Sequence, residues 1–286
     1  MGSIYNTGTI GNITGSFNSG TPQGGDASGR RADIGVMTAL AEELHAMTEV
    51  FERTGTCRRV QLEDGTRVRE ATFRTRRGQL TAVLTEALAR GQREAAIGFA
   101  NLRRHYAPPV VAFVGIAGGI NDFVAIGDVV VADQVIYYDE YREGPTGTFR
   151  RGEASAVPPG IAIVLDSLFS AHRGWFQQEA RRPDGGTERF AVVRGPIGSG
   201  SGVITHAGSE VREFLLRFNE RTLAVETEAG GVVAAFRNGY RPGSDLLGWL
   251  VIRGISDKAD EAKRAGYHAI AAAHAAQVFE LLVQHL

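Results

Sequence analysis

The chain has 286 residues, of which 43% are hydrophobic, so it can bury a substantial core, and α/β folds of this length are often one domain. The formal net charge of -1 provides no global basic field, which argues against a nucleic-acid partner. The single cysteine excludes an intrachain disulfide and a cysteine-rich metal site, and no apolar run approaches the roughly 18 residues of a membrane helix, so we expect a cytoplasmic protein without membrane contact.

Residues 1–31 differ in composition from the rest of the chain. Ile, Thr and Phe alternate with Asn and Gly, and Asp26 is the only charged side chain before Arg30. This pattern predicts brief strands, with a disordered tail and flexible linker as the alternative. Because an uncharged strand edge invites association, we expect the segment to pair with copies of itself and the protein to be a homo-oligomer. The segment is similar to those that precede effector domains in some bacterial conflict proteins.

From Ala32 onwards, predicted strands alternate with predicted helices. The strands are expected at 34–40, 68–84 (two, around a turn at 76–79), 110–115, 127–132, 191–193, 223–225 and 250–255. The helices are expected at 41–47, 93–106, 160–171, 228–237 and 268–286, and the remainder of 137–189 is predicted to be loop and lid. The alternation predicts a single α/β catalytic domain over 32–286, with a mostly parallel central sheet flanked by helices.

Polar side chains follow the apolar run at 250–252. Arg253, Ser256 and Asp257 come at the end of this predicted buried strand, at the sheet edge where α/β proteins bind ligands. The alternative is that Asp257 caps the next helix.

Acidic residues mark two further junctions. Glu226 and Glu228 lie two apart where a strand meets a helix, so in extended geometry both point the same way. A carboxylate can accept from both hydroxyls of a vicinal diol, although acids also favour a helix amino terminus. Glu42 and Glu43 after the first strand are, taken alone, an ordinary acid pair in the first turn of a helix. The glycine-rich run at 115–119 matches neither the dinucleotide fingerprint nor a P-loop, and indicates only a close backbone approach.

Taken together, four segments resemble the purine nucleoside phosphorylase superfamily, and most closely its hydrolytic branch, the methylthioadenosine/S-adenosylhomocysteine nucleosidases. These segments are 34–43, 115–130, 225–229 and 253–257. The resemblance implies that Asp257 is the general acid at purine N7, oriented by Ser256, and that Glu43 is the base that activates water. It implies that Glu228 binds the ribose hydroxyls and that no cofactor or metal is needed. The remaining residues implied at the site are Glu226 and Arg253 in support and Ala117 and Gly118 beside the base.

Hydrolysis is favoured over phosphorolysis at the position of the nucleophile. A phosphate nucleophile needs arginine, serine and backbone donors. Where the phosphorylases carry such groups, this chain has Thr38, Ala39, Leu40 and an aliphatic Ile116, and Glu43 would repel phosphate.

The chain departs from the nucleosidases around the base. Val203, followed by Ile204, stands where they stack a Phe on adenine, and Thr227 replaces the usual Met. Base stacking is therefore expected to be weaker or to come from another aromatic residue, Phe190 or Trp175.

The chain also departs from the nucleosidases at the 5′ end of the substrate. Arg90 stands in the apolar alkylthio pocket, the loop after Asp257 carries Lys258 and Lys263, and Tyr267 keeps the aromatic residue that follows. Such cations suit phosphate better than a thioether, although ordinary surface charges are the alternative. Three further arginines of the predicted lid are expected to add to this site: Arg142, Arg150 and Arg151.

The sequence thus predicts an adenine N-ribosyl hydrolase whose substrate is a small 5′-phosphorylated nucleotide such as ATP or AMP. By analogy, a nucleotide-depleting enzyme with a self-associating tail suits an antiphage effector. Two alternatives stay open: a methylthioadenosine/S-adenosylhomocysteine nucleosidase, and a non-catalytic nucleotide-binding or self-assembling module.

Overall fold

The computed structural model describes residues 29–85, 89–170, 175–181, 186–261 and 265–286. The β-prone segment and Lys263 lie outside the described residues. The helices in the described part are α1 (Ala41–Arg53), α2 (Gln92–Tyr106), α3 (Pro159–Ser170), α4 (Glu210–Phe218), α5 (Ala229–Gly239) and α6 (His268–Val283). The strands there are β1 (Ile34–Met37), β2 (Arg58–Gln61), β3 (Arg67–Thr75), β4 (Gly78–Thr85), β5 (Val110–Gly119), β6 (Val129–Tyr137), β7 (Tyr141–Gly144), β8 (Gly147–Arg150), β9 (Glu153–Ala156), β10 (Trp175–Arg181), β11 (Thr187–Ser199), β12 (Ala224–Glu226) and β13 (Gly248–Asp257).

One large sheet forms the centre of the fold. Its strand order is β10-β11-β6-β13-β5-β1-β4-β3-β2, and β12 pairs with both β11 and β5. The strands β13, β5, β12, β11 and β6 therefore close into a ring. The predicted α/β fold with a central sheet between helices is confirmed. The sheet is mixed, because antiparallel pairing reaches its centre, where β13 meets β6.

Apolar side chains on both faces explain why β5 and β13 lie at the middle of the sheet. Nearly every residue of these two strands is buried, as expected for strands covered by helices on both sides. Helix α6 approaches β13 closely because Gly254 has no side chain, and a Cβ there would collide with the backbone of Ala271. The parallel pairing of β5 with β13 brings the carboxyl ends of both strands to the same edge.

The prediction of loop and lid over most of 137–189 is wrong for its described part. Strand β9 pairs with β6, β10 pairs with β11, and β7 and β8 form a separate hairpin. These strands lack the apolar runs of the core strands because they lie at the margins of the sheet or off it. Strand β2, which has an intermediate or exposed residue at every position, and helix α4 were likewise not predicted. Within the described residues, no helix is long and apolar enough to cross a membrane.

Candidate active site

A cleft lies at the carboxyl ends of β5 and β13, beside the first turns of α1 and α5. Its non-atom space is about 720 Å³, including the part open to solvent, which is within the range of small-molecule sites. Eleven of the residues proposed from the sequence line it: Glu43, Arg90, Ala117, Gly118, Val203, Ile204, Glu226, Thr227, Glu228, Ser256 and Asp257. The lining residues that were not among those proposed are Leu40, Ile116, Tyr138, Gly202, Val225, Ala259 and His268.

Glu43 is held by the backbone on two sides of the cleft. It lies in the first turn of α1 and is 3% exposed. Its Oε2 accepts the N–H groups of Ala39 (2.8 Å) and Leu40 (2.9 Å), while its Oε1 accepts that of Ile116 on β5 (2.8 Å). Burial raises the pKa of Glu43, and the charge of Arg253 and these three donors oppose that shift. Glu43 is therefore a fixed carboxylate that holds a proton more readily than a free glutamate does.

Arg253 on β13 lies beneath the cleft, fully buried, with its guanidinium 4.1 Å from the ring centre of Phe113. Its Nη2 donates to Glu226 and lies 3.6 Å from Glu228 Oε2, and its Nη1 lies 4.0 Å from Glu43 Oε1. Burial alone would lower the pKa of Arg253, but the three carboxylates outweigh it and the pKa is raised. One guanidinium charge thus holds three carboxylates that come from different elements.

The Nε and Nη1 atoms of Arg253 have no hydrogen-bond partner within the described residues. A buried donor without a partner carries a desolvation cost. Nη1 lies 4.0 Å from Glu43 Oε1, beyond hydrogen-bond distance, so these two groups attract each other through their charges.

Glu226 and Glu228 have different partners. Glu226 accepts the N–H groups of Glu228 (3.0 Å) and Ala229 (2.9 Å from Oε2), so it caps α5 as well as pairing with Arg253. The helix-terminus interpretation made from the sequence therefore applies to Glu226, although its side chain is buried rather than solvated. Burial raises its pKa, against the opposing charge of Arg253. Glu228 accepts from the Thr227 hydroxyl and from the Gly91 N–H (3.2 Å), both at Oε1. Its carboxylate retains acceptor positions that can take a hydroxyl pair.

Asp257 is held at the opposite wall by its own strand end. The Ser256 hydroxyl donates to Oδ2 (3.0 Å) and the Ala259 N–H donates to Oδ1 (2.8 Å). A Cβ on Gly118 would lie 3.0 Å from Oδ1, so a glycine at this position avoids a close contact with the carboxylate. The helix-cap interpretation of Asp257 is wrong, because α6 begins only at His268.

Neither aromatic residue proposed to stack on the base lines the cleft. Phe190 stacks on the buried His274 with ring centres 4.0 Å apart, and Trp175 lies with Phe123 in a separate surface groove. The aromatic residue that does line the cleft is Tyr138, which is 2% exposed. No pattern in the sequence pointed to Tyr138, because its position depends on the ring of strands.

Fewer basic residues line the cleft than the sequence predicted. The Lys258 ammonium turns away and donates to the carbonyls of Asn121 (3.1 Å) and Val124 (2.7 Å). Tyr267 does not line the cleft, whereas its neighbour His268 does. The three lid arginines are also absent from the lining; they are Arg142, Arg150 and Arg151. Arg90 is the basic side chain that remains there among the described residues, apart from the histidine. Within those residues, no group of three or more His, Cys, Asp or Glu side chains is arranged to hold a metal ion.

The chain belongs to the Phosphorylase superfamily, whose family profile matches residues 33–285. Among solved structures, the chain is similar to the 5′-methylthioadenosine/S-adenosylhomocysteine nucleosidase from Helicobacter pylori bound to butyl-thio-DADMe-Immucillin-A. The two are 19% identical, with a TM-score of 0.67 over 90% of this chain and 99% of that one.

Two further structures share the fold. The nucleosidase of the same name from Neisseria meningitidis, bound to methylthio-immucillin-A, is 22% identical, with a TM-score of 0.65 over 88% of this chain and 99% of that one. Futalosine hydrolase of Helicobacter pylori is 18% identical, with a TM-score of 0.64 over 88% of this chain and 97% of that one. At these identities the likeness is one of fold.

Proposed function

We propose that the protein is a purine N-ribosyl hydrolase that releases adenine from a 5′-phosphorylated nucleotide such as ATP or AMP. One observation carries the proposal: Glu43, Glu228 and Asp257, which come from three separate elements, face one cleft of nucleoside size. A non-catalytic binding module has no need of three acids in this arrangement. Proteins of the same fold include nucleosidases and a futalosine hydrolase.

The proposed reaction divides the chemistry between the two walls of the cleft. Asp257, oriented by Ser256, acts as the general acid and delivers a proton to purine N7 as the bond between ribose C1′ and N9 breaks. Glu43 takes a proton from a water molecule, whose oxygen forms the new bond to C1′ on the opposite face of the sugar. The ribosyl group becomes positively charged in the transition state, so the carboxylates around Arg253 stabilise it. Glu228 accepts from the 2′ and 3′ hydroxyls and fixes the sugar.

Water is a better nucleophile than phosphate for this site. The donors that face Glu43 are occupied by Glu43 itself, including the Ile116 N–H. A phosphate there would lie against a buried carboxylate without an arginine fork to bind it. The cleft therefore favours hydrolysis over phosphorolysis.

The position of Arg90 supports the proposal that the substrate carries a 5′-phosphate. This residue is exposed, lines the cleft, and makes no ion pair within the described residues. The next residue, Gly91, donates its N–H to Glu228, so Arg90 is one residue from the proposed sugar site. The apolar Leu40 and Ile116 in the same lining favour the second candidate, a methylthioadenosine or S-adenosylhomocysteine nucleosidase.

An antiphage role would follow from the same chemistry. An enzyme that removes adenine from ATP or AMP depletes the nucleotide pool, and self-association of residues 1–31 would supply a means of assembly. Infection of cells that carry the wild-type gene or an Asp257→Asn gene tests this role. Protection by both genes alike would contradict a defence that depends on hydrolysis.

The deciding experiment is chromatography of free adenine after incubation with ATP, AMP, adenosine and methylthioadenosine in separate reactions. Asp257→Asn is the test variant, and Asp122→Asn is the control because it makes the same chemical change at an exposed loop position outside the cleft. Adenine from ATP or AMP, lost only in Asp257→Asn, is the expected result. Adenine from methylthioadenosine alone would move the protein to the second candidate. ATP turnover that is unchanged in Arg90→Ala would favour that candidate indirectly, by removing the support that Arg90 gives to a 5′-phosphorylated substrate. Release from none of the four would contradict the hydrolase.

A further inference from the structure

His268 is the one histidine that lines the cleft within the described residues. It is the first residue of α6 and is half-buried, and it forms no hydrogen bond or ion pair within those residues. His274, one and a half turns further along α6, differs: its ring is fixed by the Gly127 carbonyl (2.7 Å) and by Glu188 (3.0 Å). The imidazole of His268 therefore has both ring nitrogens available to a ligand.

His268 lines the cleft together with residues of α1. Helices α1 and α6 pack together, and the Leu40 and Glu43 side of α1 lines the cleft with His268. Asp257 and Gly118 are in contact at the wall proposed for the base, while Arg90 is next to the residue that binds Glu228. A nucleotide whose base faces Asp257 and whose ribose lies on Glu228 would direct its 5′ group away from the base wall.

The charges of the cleft require additional positive groups for such a substrate. Four carboxylates line it: Glu43, Glu226, Glu228 and Asp257. The buried Arg253 is engaged by three of them, so it cannot also compensate a phosphate. Like charges in a partly desolvated cleft repel one another strongly. A 5′-phosphate therefore needs donors beyond Arg90, and among the described residues that line the cleft His268 has a side chain that can supply one.

We infer that His268 is a specificity-determining residue that donates a hydrogen bond to the 5′-phosphoryl group, in addition to Arg90, and so selects a phosphorylated nucleotide over a nucleoside. This inference rests on the proposed function for its substrate. It differs from that proposal in concerning recognition of the 5′ group rather than cleavage.

Calorimetric binding of AMP and adenosine tests the inference without requiring turnover. The Asp257→Asn protein serves as the background, so that the ligands stay intact. His268→Ala is compared with His268→Gln, which keeps a donor, and with Tyr267→Phe, a neighbouring change outside the cleft. Loss of one charge-assisted hydrogen bond is expected to weaken AMP binding by roughly 10- to 150-fold. Adenosine affinity is expected to change less than about twofold, since a nucleoside lacks the group, and His268→Gln is expected to be intermediate.

If His268 had a purely structural role, its substitution would weaken the binding of AMP and of adenosine alike and would lower the unfolding temperature. That outcome overturns the inference. An unchanged AMP affinity in His268→Ala, or no AMP binding by the unsubstituted background, also overturns it. In the wild-type background, the inference predicts that His268→Ala raises the KM for AMP while kcat stays the same. AMP binding that depends on His268 without adenine release would support the inference and reject the hydrolase. Adenine release from AMP that is unchanged by substitution of His268 would support the hydrolase and reject the inference about His268.

Discussion

Gly115 occupies the gap between Arg253 and Glu43. A Cβ at this position would lie closer than 3.0 Å to both the guanidinium and the carboxylate. Neither group can retreat, since both are buried and held, so Gly115→Ala must displace one of them. Because this leaves a buried charge without its partner, we expect a loss of about 3–5 kcal/mol in the free energy of unfolding and a large fall in turnover.

Gly160→Ala is the control for this substitution, because its Cβ meets no atom within 4 Å in the first turn of α3. Urea unfolding and adenine release measured on both variants separate local collision from a general intolerance of alanine. A Gly115→Ala protein with wild-type stability and activity would show that the cluster around Arg253 can rearrange freely.

The pKa of Glu43 determines how activity should change in acid. Burial raises this pKa above the ordinary value of 4.5, so a protonated fraction persists to higher pH than in a free glutamate. If Glu43 is the base, kcat/KM rises with pH as Glu43 ionises, and its acid limb lies above 4.5. The native state also binds this proton more tightly than the unfolded chain, so Glu43 makes the free energy of unfolding fall as the pH rises from the unfolded to the folded pKa.

The assignment of Glu43 as the base can be tested by comparing substitutions of Glu43 and of its neighbour Glu42. Glu43→Gln removes the base and should reduce turnover by 10²- to 10⁴-fold at every pH, the usual contribution of general base catalysis. Glu42→Gln changes the exposed neighbour on the same helix and should leave the pH profile unchanged. An acid limb that survives in Glu43→Gln would assign the ionisation to another group, of which Glu226 is the first to examine because burial raises its pKa too.

At the scale of elements, one glutamine joins three pieces of the fold behind the sugar site. Gln92 at the start of α2 donates to Ser199 at the end of β11 (2.9 Å) and accepts the Gly231 N–H of α5 (2.5 Å). The Gly230 N–H donates to the same Ser199 hydroxyl (2.8 Å). The two helices approach so closely that a Cβ on Gly231 would collide with the Gln92 backbone. The packing of α2 on α5 therefore fixes where Glu228 stands.

Gln92→Ala should loosen this contact. It removes one of the two acceptors of the Gly231 N–H, which keeps the Glu228 carbonyl (2.9 Å), so we expect a loss of about 0.5–1.5 kcal/mol in the free energy of unfolding, the usual net value of one hydrogen bond. It should also raise KM more than it lowers kcat, because Glu228 is positioned through Gly91 while Asp257 and Glu43 lie on other elements. Arg93→Ala alters the adjacent, exposed residue of the same helix and serves as the control in chemical denaturation and steady-state kinetics. Equal changes in the two variants would contradict the role given to Gln92.

At the scale of the whole molecule, the sequence was informative where a residue's environment is local. Continuous apolar runs predicted β1, β5 and β13, and the polar residues that end β13 predicted a ligand-binding edge at Asp257. The direction of β6 against β13 is not encoded in such runs, since buried parallel and antiparallel strands have similar composition. Gln92 and His268 were missed for a related reason, because their neighbours are brought to them by distant segments. Only the assembled fold shows which of two adjacent residues, Tyr267 or His268, reaches the cleft.

The assembly proposed for the amino-terminal segment can be separated from catalysis. Arg30 is tied to Glu70 by an ion pair (2.8 Å), so a truncation that removes residues 1–28 leaves this contact of the catalytic domain in place. Because the cleft-lining residues in the described part of the chain fall between 40 and 268, the truncated protein should release adenine with an unchanged kcat per protomer. If the uncharged segment pairs with copies of itself, the full chain should sediment as a larger species whose size depends on concentration, and the truncated chain should not. Identical sedimentation of the two proteins would contradict assembly through this segment, whereas loss of activity on truncation would mean that assembly and catalysis are coupled.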